Sequence, residues 1–357
     1  IDMIESPKTS GTAFTQESLY FMLMYAWRMW PGGHISPATK STIDAPSDLM
    51  AKLLSHSINK AYASGLQRSY ITIQEETLLP SGRILMQETI RNRSQRRQLL
   101  HVERDTFSVN CVSNKILRHA ARGLLTLPLD QETRIALSEA IKKLAGVSDI
   151  DISEREILTE MDRTRRLEYR IGLSIALTMK QASVLGSNGT NRLTGQAPHI
   201  GDEMWFRSLF ESFLREFYRH NLRSPSVRGR RYLWSPNDAD LFPIMQTDIN
   251  IETEHSILVI DAKCTPRVAS KRQDFNKQTL NSGHLYQVFS YMSHCREINP
   301  GKKISGALIY PLYDTPIDSV TQTPSGLLRV KTIDFKRDWT DISDELLDIV
   351  LGSSIKY

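Results

Sequence analysis

Residues 245–263 constrain the fold of this 357-residue chain more than any other stretch. Met245, Thr247, Ile249 and Ile251 alternate with Gln246, Asp248 and Asn250, the two-residue period of a half-buried strand. Glu254-His255-Ser256 is polar enough to turn. Residues 257–260 are then an unbroken aliphatic run, the mark of a central strand. Asp261 and Lys263 close that run two positions apart, so both side chains leave the same face of a sheet. Pairing the two strands as a hairpin brings Asp248 alongside Asp261. The expected result is two carboxylates and an ammonium at one end of a buried sheet.

Two neighbouring carboxylates repel each other, and a hard divalent cation relieves the repulsion. Mg²⁺ held there lowers the pKa of a bound water and neutralises charge building on a phosphate. Lys263 adds fixed positive charge at the same place. This is the logic of metal-dependent phosphodiester hydrolysis. In the plainer alternative both aspartates cap strand ends and Lys263 is solvated. A lone Asp-x-Lys would favour that alternative. An Asp on a second strand thirteen positions upstream, together with a buried strand leading into the motif, favours the hydrolytic reading.

Composition excludes several other classes. Cys111, Cys264 and Cys295 are scattered and form no Cys-x-x-Cys pair, so zinc ribbons and thioredoxin-like chemistry lack support. The sparse count fits a reducing cytoplasm, and Cys264 reads as a small core residue. No segment has the length of a membrane span, and no Gly-x-x-x-x-Gly-Lys-[Ser/Thr] loop marks the chain as a P-loop NTPase. A net charge of +5 permits nucleic-acid contact without requiring it.

Along the chain, residues 17–30 read as an apolar helix and 47–64 as a second, with Ser47 as N-cap. Residues 70–78 alternate as a strand, and Pro80-Ser81-Gly82 turns them into 83–90 as a β-hairpin. A further strand is expected over 99–110, after a segment with four arginines in seven residues, Arg91, Arg93, Arg96 and Arg97. Helices follow over 113–127 and 130–145, then a loop or short strand over 150–158, and a long helix over 161–185. Residues 186–200 read as a linker. The second half opens with a helix over 203–220, carrying Phe206, Phe210, Phe213 and Phe217 on one face. Arg223, Arg228, Arg230 and Arg231 lie in a loop suited either to phosphate contact or to a surface turn. A basic loop over 267–278, a helix over 284–295, strands over 305–310 and 327–333, and a closing helix over 339–351 complete the chain. Gln287 and Tyr291 share one helical face. His284, one turn earlier, reads as structural rather than as a general base.

Asp248 followed by Asp261-Ala262-Lys263 resembles the PD-(D/E)xK nuclease core, with Thr247 where the motif has Pro. Residues 19–27, Glu88-Thr89-Ile90-Arg91, Asn114-Lys115-Ile116-Leu117, residues 213–217, His284-Leu285-Tyr286-Gln287, residues 307–311 and residues 344–348 resemble the McrC family in order. McrC proteins are nuclease subunits of McrBC modification-dependent, 5-methylcytosine-specific restriction systems. The resemblance implies an α/β architecture, with an N-terminal mixed α/β adaptor over 1–185, the linker over 186–200 and a restriction-endonuclease-like core over 201–357. It implies a cytoplasmic, Mg²⁺-dependent DNA endonuclease active with a McrB-like AAA+ GTPase hexamer on double-stranded DNA carrying modified cytosine, with GTP bound by the partner. Asp248, Asp261 and the Ala262 carbonyl would hold the metal, and Lys263 would stabilise charge. An acid on the preceding helix is common in such folds. Glu211 is the candidate, weighed equally against a solvated surface role. The Gln287/Tyr291 pair resembles a supporting motif of RecB-like nucleases. Arg93, Arg96 and Arg97 would contact the partner ring or DNA, and Arg228, Arg230 and Arg231 the DNA. The rivals are an assembly subunit that stimulates the GTPase without cutting, and a standalone RecB-like nuclease.

Overall fold

The computed structural model describes residues 13–29, 46–94, 99–187, 203–233, 244–265, 268–271 and 278–352. They form two compact units, residues 45–200 and residues 1–44 together with 201–357. Helix α1 (Gln16–Ala26) therefore belongs with the C-terminal unit, and the expected contiguous 1–185 domain is corrected at its start. Thr15 caps α1 reciprocally with Ser18. Aromatic packing explains the assignment. Tyr25 contacts Phe213, Phe217 and Trp339, Phe21 stacks on Trp339 at 4.5 Å, and Phe14 lies 5.3 Å from Phe335. Arg28 donates two hydrogen bonds to the buried Glu216.

In residues 45–200, α2 (Pro46–Ala63) starts at its proline, so Ser47 lies inside the helix and its hydroxyl donates to the Pro128 carbonyl. Strand β1 (Ser69–Thr77) pairs antiparallel along its whole length with β3 (Leu100–Ser108). Only β2 (Arg83–Ile84) extends the sheet beyond β3, because α3 (Met86–Ser94) occupies most of the expected second hairpin strand. The Thr89 hydroxyl accepts from His101 N, tying α3 to β3. Helices α4 (Val112–Leu125) and α5 (Gln131–Lys142) fall where expected. Residues 154–163 form α6 (Glu154–Arg163), begun by a Ser153/Glu156 capping box, in place of the expected loop or strand. The helix breaks at Thr164, so α7 (Leu167–Ser187) starts later than the expected helix and lacks Arg163, Arg165 and Arg166. Arg96 and Arg97, the Arg93 side chain and most of the expected linker lie outside the described residues.

The other unit continues with α8 (Glu203–Asn221), β4 (Ser226–Arg228), β5 (Arg231–Tyr232), β6 (Met245–Gln246), β7 (Ile249–Glu252), β8 (Ser256–Ala262), β9 (Ala269–Lys271), β10 (Gln278–Leu280), α9 (Ser282–Ile298), β11 (Lys303–Pro311), β12 (Asp318–Thr323), β13 (Gly326–Ile333) and α10 (Trp339–Gly352). Six strands form one mixed sheet in the order β12-β13-β11-β8-β7-β4. β8 is parallel to β11 and antiparallel to β7, so it is central, and all seven of its residues are buried. Ile257 and Val259 join Val288, Met292, Cys295 and Leu308 in one core, which places α9 against that face. The expected basic loop after the Asp-x-Lys contains the β9–β10 hairpin, and residues 272–277 lie outside the described set.

Candidate active site

Hairpin register brings the acidic pair together. Ile249 pairs with Ile260, so the next step of the same register sets Asp248 opposite Asp261. The expected single strand is interrupted at Thr247 and Asp248, between β6 and β7. Buried Thr247 makes the interruption. Its N–H donates to the Arg230 carbonyl at 2.9 Å, and its hydroxyl accepts from Arg230 N at 3.0 Å. Asp248 is thereby freed from the ladder, and its Oδ2 accepts the Ala262 N–H at 2.8 Å. At the end of β8, Lys263 N donates to the Ile309 carbonyl at 3.0 Å, holding the Asp-x-Lys turn against β11.

Asp261 is fully buried. Lys263 Nζ lies 2.7 Å from its Oδ2. Beyond that ion pair, neither carboxylate oxygen has a hydrogen-bond partner among the described residues. Burial raises the Asp261 pKa against the opposing charge of Lys263. Burial, then the Asp261 charge, pushes Asp248 up to about 6 from an ordinary 3.8. Such a pair is poised to take a cation, which would reverse both effects.

Glu211, on α8, lies within electrostatic reach of Asp248 and Lys263, and burial followed by the Asp248 charge raises its pKa. Its carboxylate is ion-paired with Arg215 one turn on. The structure thus brings Glu211 to the site, engaged with a residue that sequence reasoning did not single out, although the i,i+4 spacing signals the pair. Gln287 Nε2 donates to Tyr291 Oη at 2.9 Å, and the charges of Asp261, Asp248 and Lys263 all reach the tyrosine. Among the described residues no three His, Cys, Asp or Glu side chains form a ready metal cluster. The donor set is two carboxylates, which suits Mg²⁺, a cation bound through one or two carboxylates with waters and phosphate completing the shell.

Arg228 and Arg231 sit on short strands rather than in a loop, and Arg230 lies in the two-residue connection between them. Arg228 and Arg230 converge on Glu252 of β7, which hydrogen bonds and charge from Lys302 and Arg230 hold down at about 2 against the effect of partial burial. Cys264 is a buried thiol pushed up to about 12 by burial, as expected of a core residue. No helix among the described residues is long and apolar enough to cross a membrane.

A sequence model described as the McrBC 5-methylcytosine restriction system component matches residues 4–311. The chain is 25% identical, over 93% of its length and 96% of the relative's, to a protein of the Escherichia coli (strain K12) type IV methyl-directed restriction enzyme EcoKMcrBC. A solved half-complex of Thermococcus gammatolerans McrB AAA+ hexamers with bound McrC contains a similar fold. It aligns with 94% of this chain and 75% of that one, at a TM-score of 0.56 and 15% identity.

Proposed function

The chain belongs to the McrBC 5-methylcytosine restriction system component family, and on that premise we propose that it is the McrC-like endonuclease subunit of a GTP-dependent complex that cuts modified DNA. The unit formed by residues 1–44 and 201–357 is read as a PD-(D/E)xK core. One observation carries this reading. A register-fixed pair of carboxylates, half-buried Asp248 and fully buried Asp261, stands beside Lys263, and beyond the Lys263 ion pair the Asp261 oxygens have no partner among the described residues. A buried carboxylate satisfied by one ion pair alone costs stability, and a cation-dependent site accounts for that cost.

Asp248, Asp261 and the Ala262 carbonyl would hold Mg²⁺, which when bound supplies a water of lowered pKa and positive charge for the phosphate. The Ala262 N–H fixes the Asp248 carboxylate in one rotamer, so its free oxygen is presented without further ordering. Lys263 places an ammonium at the same edge, where negative charge grows on the phosphate during hydrolysis. Glu211, released from Arg215, is read as a further oxygen donor or as the group that orients the water.

Partner and substrate follow from the relatives. The archaeal structure holds McrB AAA+ hexamers with bound McrC, and the bacterial relative belongs to a methyl-directed restriction enzyme. By that likeness this chain joins a McrB-like AAA+ GTPase hexamer, stimulates its GTP hydrolysis and acts on double-stranded DNA with modified cytosine in the cytoplasm. Residues 45–200 are read as the adaptor, with Arg93, Arg96 and Arg97 as its basic contact. Alanine at all three should weaken GTPase stimulation, and unchanged stimulation removes them from that role.

The deciding experiment mixes the chain, its AAA+ partner, GTP and Mg²⁺ with methylated DNA. Wild type should cut, while Asp261→Ala and Lys263→Ala assemble and support GTP hydrolysis without cutting. Cleavage by both variants at the wild-type rate would sink the nuclease reading and favour a subunit that assembles without cutting.

A further inference from the structure

Beside the carboxylate pair, α8, α9 and β11 bring together residues that the reading above leaves unused. On α9, His284, Gln287 and Tyr291 fall at i, i+3 and i+7, one stripe, with Lys263 in electrostatic reach of His284 and Asp261, Asp248 and Lys263 in reach of Tyr291. His284 Nδ1 lies 3.0 Å from the hydroxyl of Tyr310, on β11, with the rings 5.8 Å apart. Tyr310 is 1% exposed, and the Asp261 charge reaches it. A buried hydroxyl proton left unpaired is costly, and His284 is the partner Tyr310 has among the described residues. The phenol therefore donates, Nδ1 accepts, and the ring proton sits on Nε2.

The charges around the imidazole come from every element against it. Lys263 lies beyond the end of β8, Arg207 is on α8, and Tyr310 stands opposite on β11. Burial first, then the Lys263 and Arg207 charges, hold the imidazole below its ordinary pKa. The ring is consequently neutral at pH 7, with one N–H free to donate. Two cations and a fixed neutral donor at the edge of a carboxylate site match the oxygens of a phosphate. Arg207 is ion-paired only loosely with Glu203, at 3.6 Å on an exposed surface, and can turn to an incoming backbone.

We propose that His284 is a catalytic residue of the phosphodiester hydrolysis, donating its Nε2–H to a non-bridging oxygen of the scissile phosphate, and that Tyr310 is the positioning residue that fixes this tautomer. The proposal rests on the nuclease reading. No proton leaves the ring. The donor is worth most when charge grows on the phosphate oxygens, because it is already oriented. Nothing local in the sequence signals this role, since the partner of His284 lies 26 residues away on another strand.

Two measurements test it. The first uses the full chain without metal at pH 7, with ¹⁵N-labelled histidine, and His284→Gln identifies the signals. The Nε2–H tautomer is expected, giving way to a mixture in Tyr310→Phe. A charged ring or the Nδ1–H tautomer at pH 7 overturns the proposal. The second measures cleavage by the complex with its AAA+ partner, GTP and Mg²⁺. His284→Ala should lower kcat about 100-fold with KM nearly unchanged, the loss typical of removing one preorganised donor. His284→Gln, whose amide N–H can stand in for Nε2–H, should recover most of that loss, and Tyr310→Phe should lower kcat alone. If His284→Ala fails to fold, the Gln and Phe variants decide. Asp261→Ala runs in parallel. If it abolishes cutting while every His284 and Tyr310 variant cuts at the wild-type rate, this inference fails and the nuclease reading stands. If Asp261→Ala itself cuts normally, the nuclease reading fails.

Discussion

Asp248→Asn should make the metal-free protein more stable. In the fold, burial and the Asp261 charge lift the Asp248 carboxyl from 3.8 to about 6. A carboxyl raised in the folded state favours folding fully below its unfolded pKa, and that contribution disappears as pH rises through the folded value. At about 1.4 kcal/mol per pH unit, the ionised carboxylate costs the fold about 3 kcal/mol at neutral pH. Asn keeps an oxygen for the Ala262 N–H, at 2.8 Å in the wild type, and removes the charge. Allowing for relaxation around a buried pair, the gain should be about 2 kcal/mol at pH 7.5, or about 4–8 °C in Tm. Near pH 4 the gain should nearly vanish. The assay is thermal unfolding in EDTA at both pH values, repeated with divalent cation. Cation at tenfold its Kd should stabilise wild type by about 1.4 kcal/mol and the variant far less. A variant no more stable than wild type at pH 7.5 in EDTA refutes the electrostatic argument. Equal stabilisation of both by cation refutes the assignment of Asp248 as a ligand.

Other perturbations follow from the same geometry. Tyr25→Ala removes a buried ring from between Phe213, Phe217 and Trp339 and should cost about 3–5 kcal/mol, read as a lowered urea midpoint. The stabilisation that Glu252 draws from Lys302 and Arg230 should be intact above pH ~4.5 and lost as pH falls toward 2, and Glu252→Gln should flatten that part of the acid-unfolding curve. Gly326→Ala places a Cβ 2.0 Å from the Ile304 carbonyl at a φ of +138°, and should lower Tm measurably and more than Gly301→Ala, which meets nothing within 4 Å. Arg215→Ala releases the Glu211 carboxylate. It should tighten divalent-cation binding if Glu211 is a ligand, and calorimetry showing unchanged affinity would remove Glu211 from that role.

The acidic pair was legible because alternation and register are local rules. Once residues 245–251 and 257–262 read as strands, the hairpin leaves little choice about which carboxylates meet. The interruption at Thr247 was not legible, because it depends on Arg230, seventeen residues upstream. Residues 83–90 misled because Ile84, Met86 and Ile90 suit an edge strand as well as a helix. The contact that decides, Thr89 with His101, crosses twelve residues. Helix α6 carried a readable signal in Ser153 and Glu156 that the polar composition of 150–158 masked. The membership of α1 was beyond any local reading, since Arg28 and Glu216 are 188 residues apart.

That separation bears on how the protein is made. A ribosome extending at about 5–20 residues per second would need about 10–40 s to travel from Arg28 to Glu216. For an interval of about that length after it emerges, α1 is without the helix it packs against, leaving Leu19, Met22, Leu23 and Tyr25, buried in the fold, uncovered. Residues 45–200 are synthesised in between and can fold before α8 appears. Helix α1 is therefore made early and finds its place late, and the nascent chain carries an apolar segment that stays uncovered until α8 and α10 emerge.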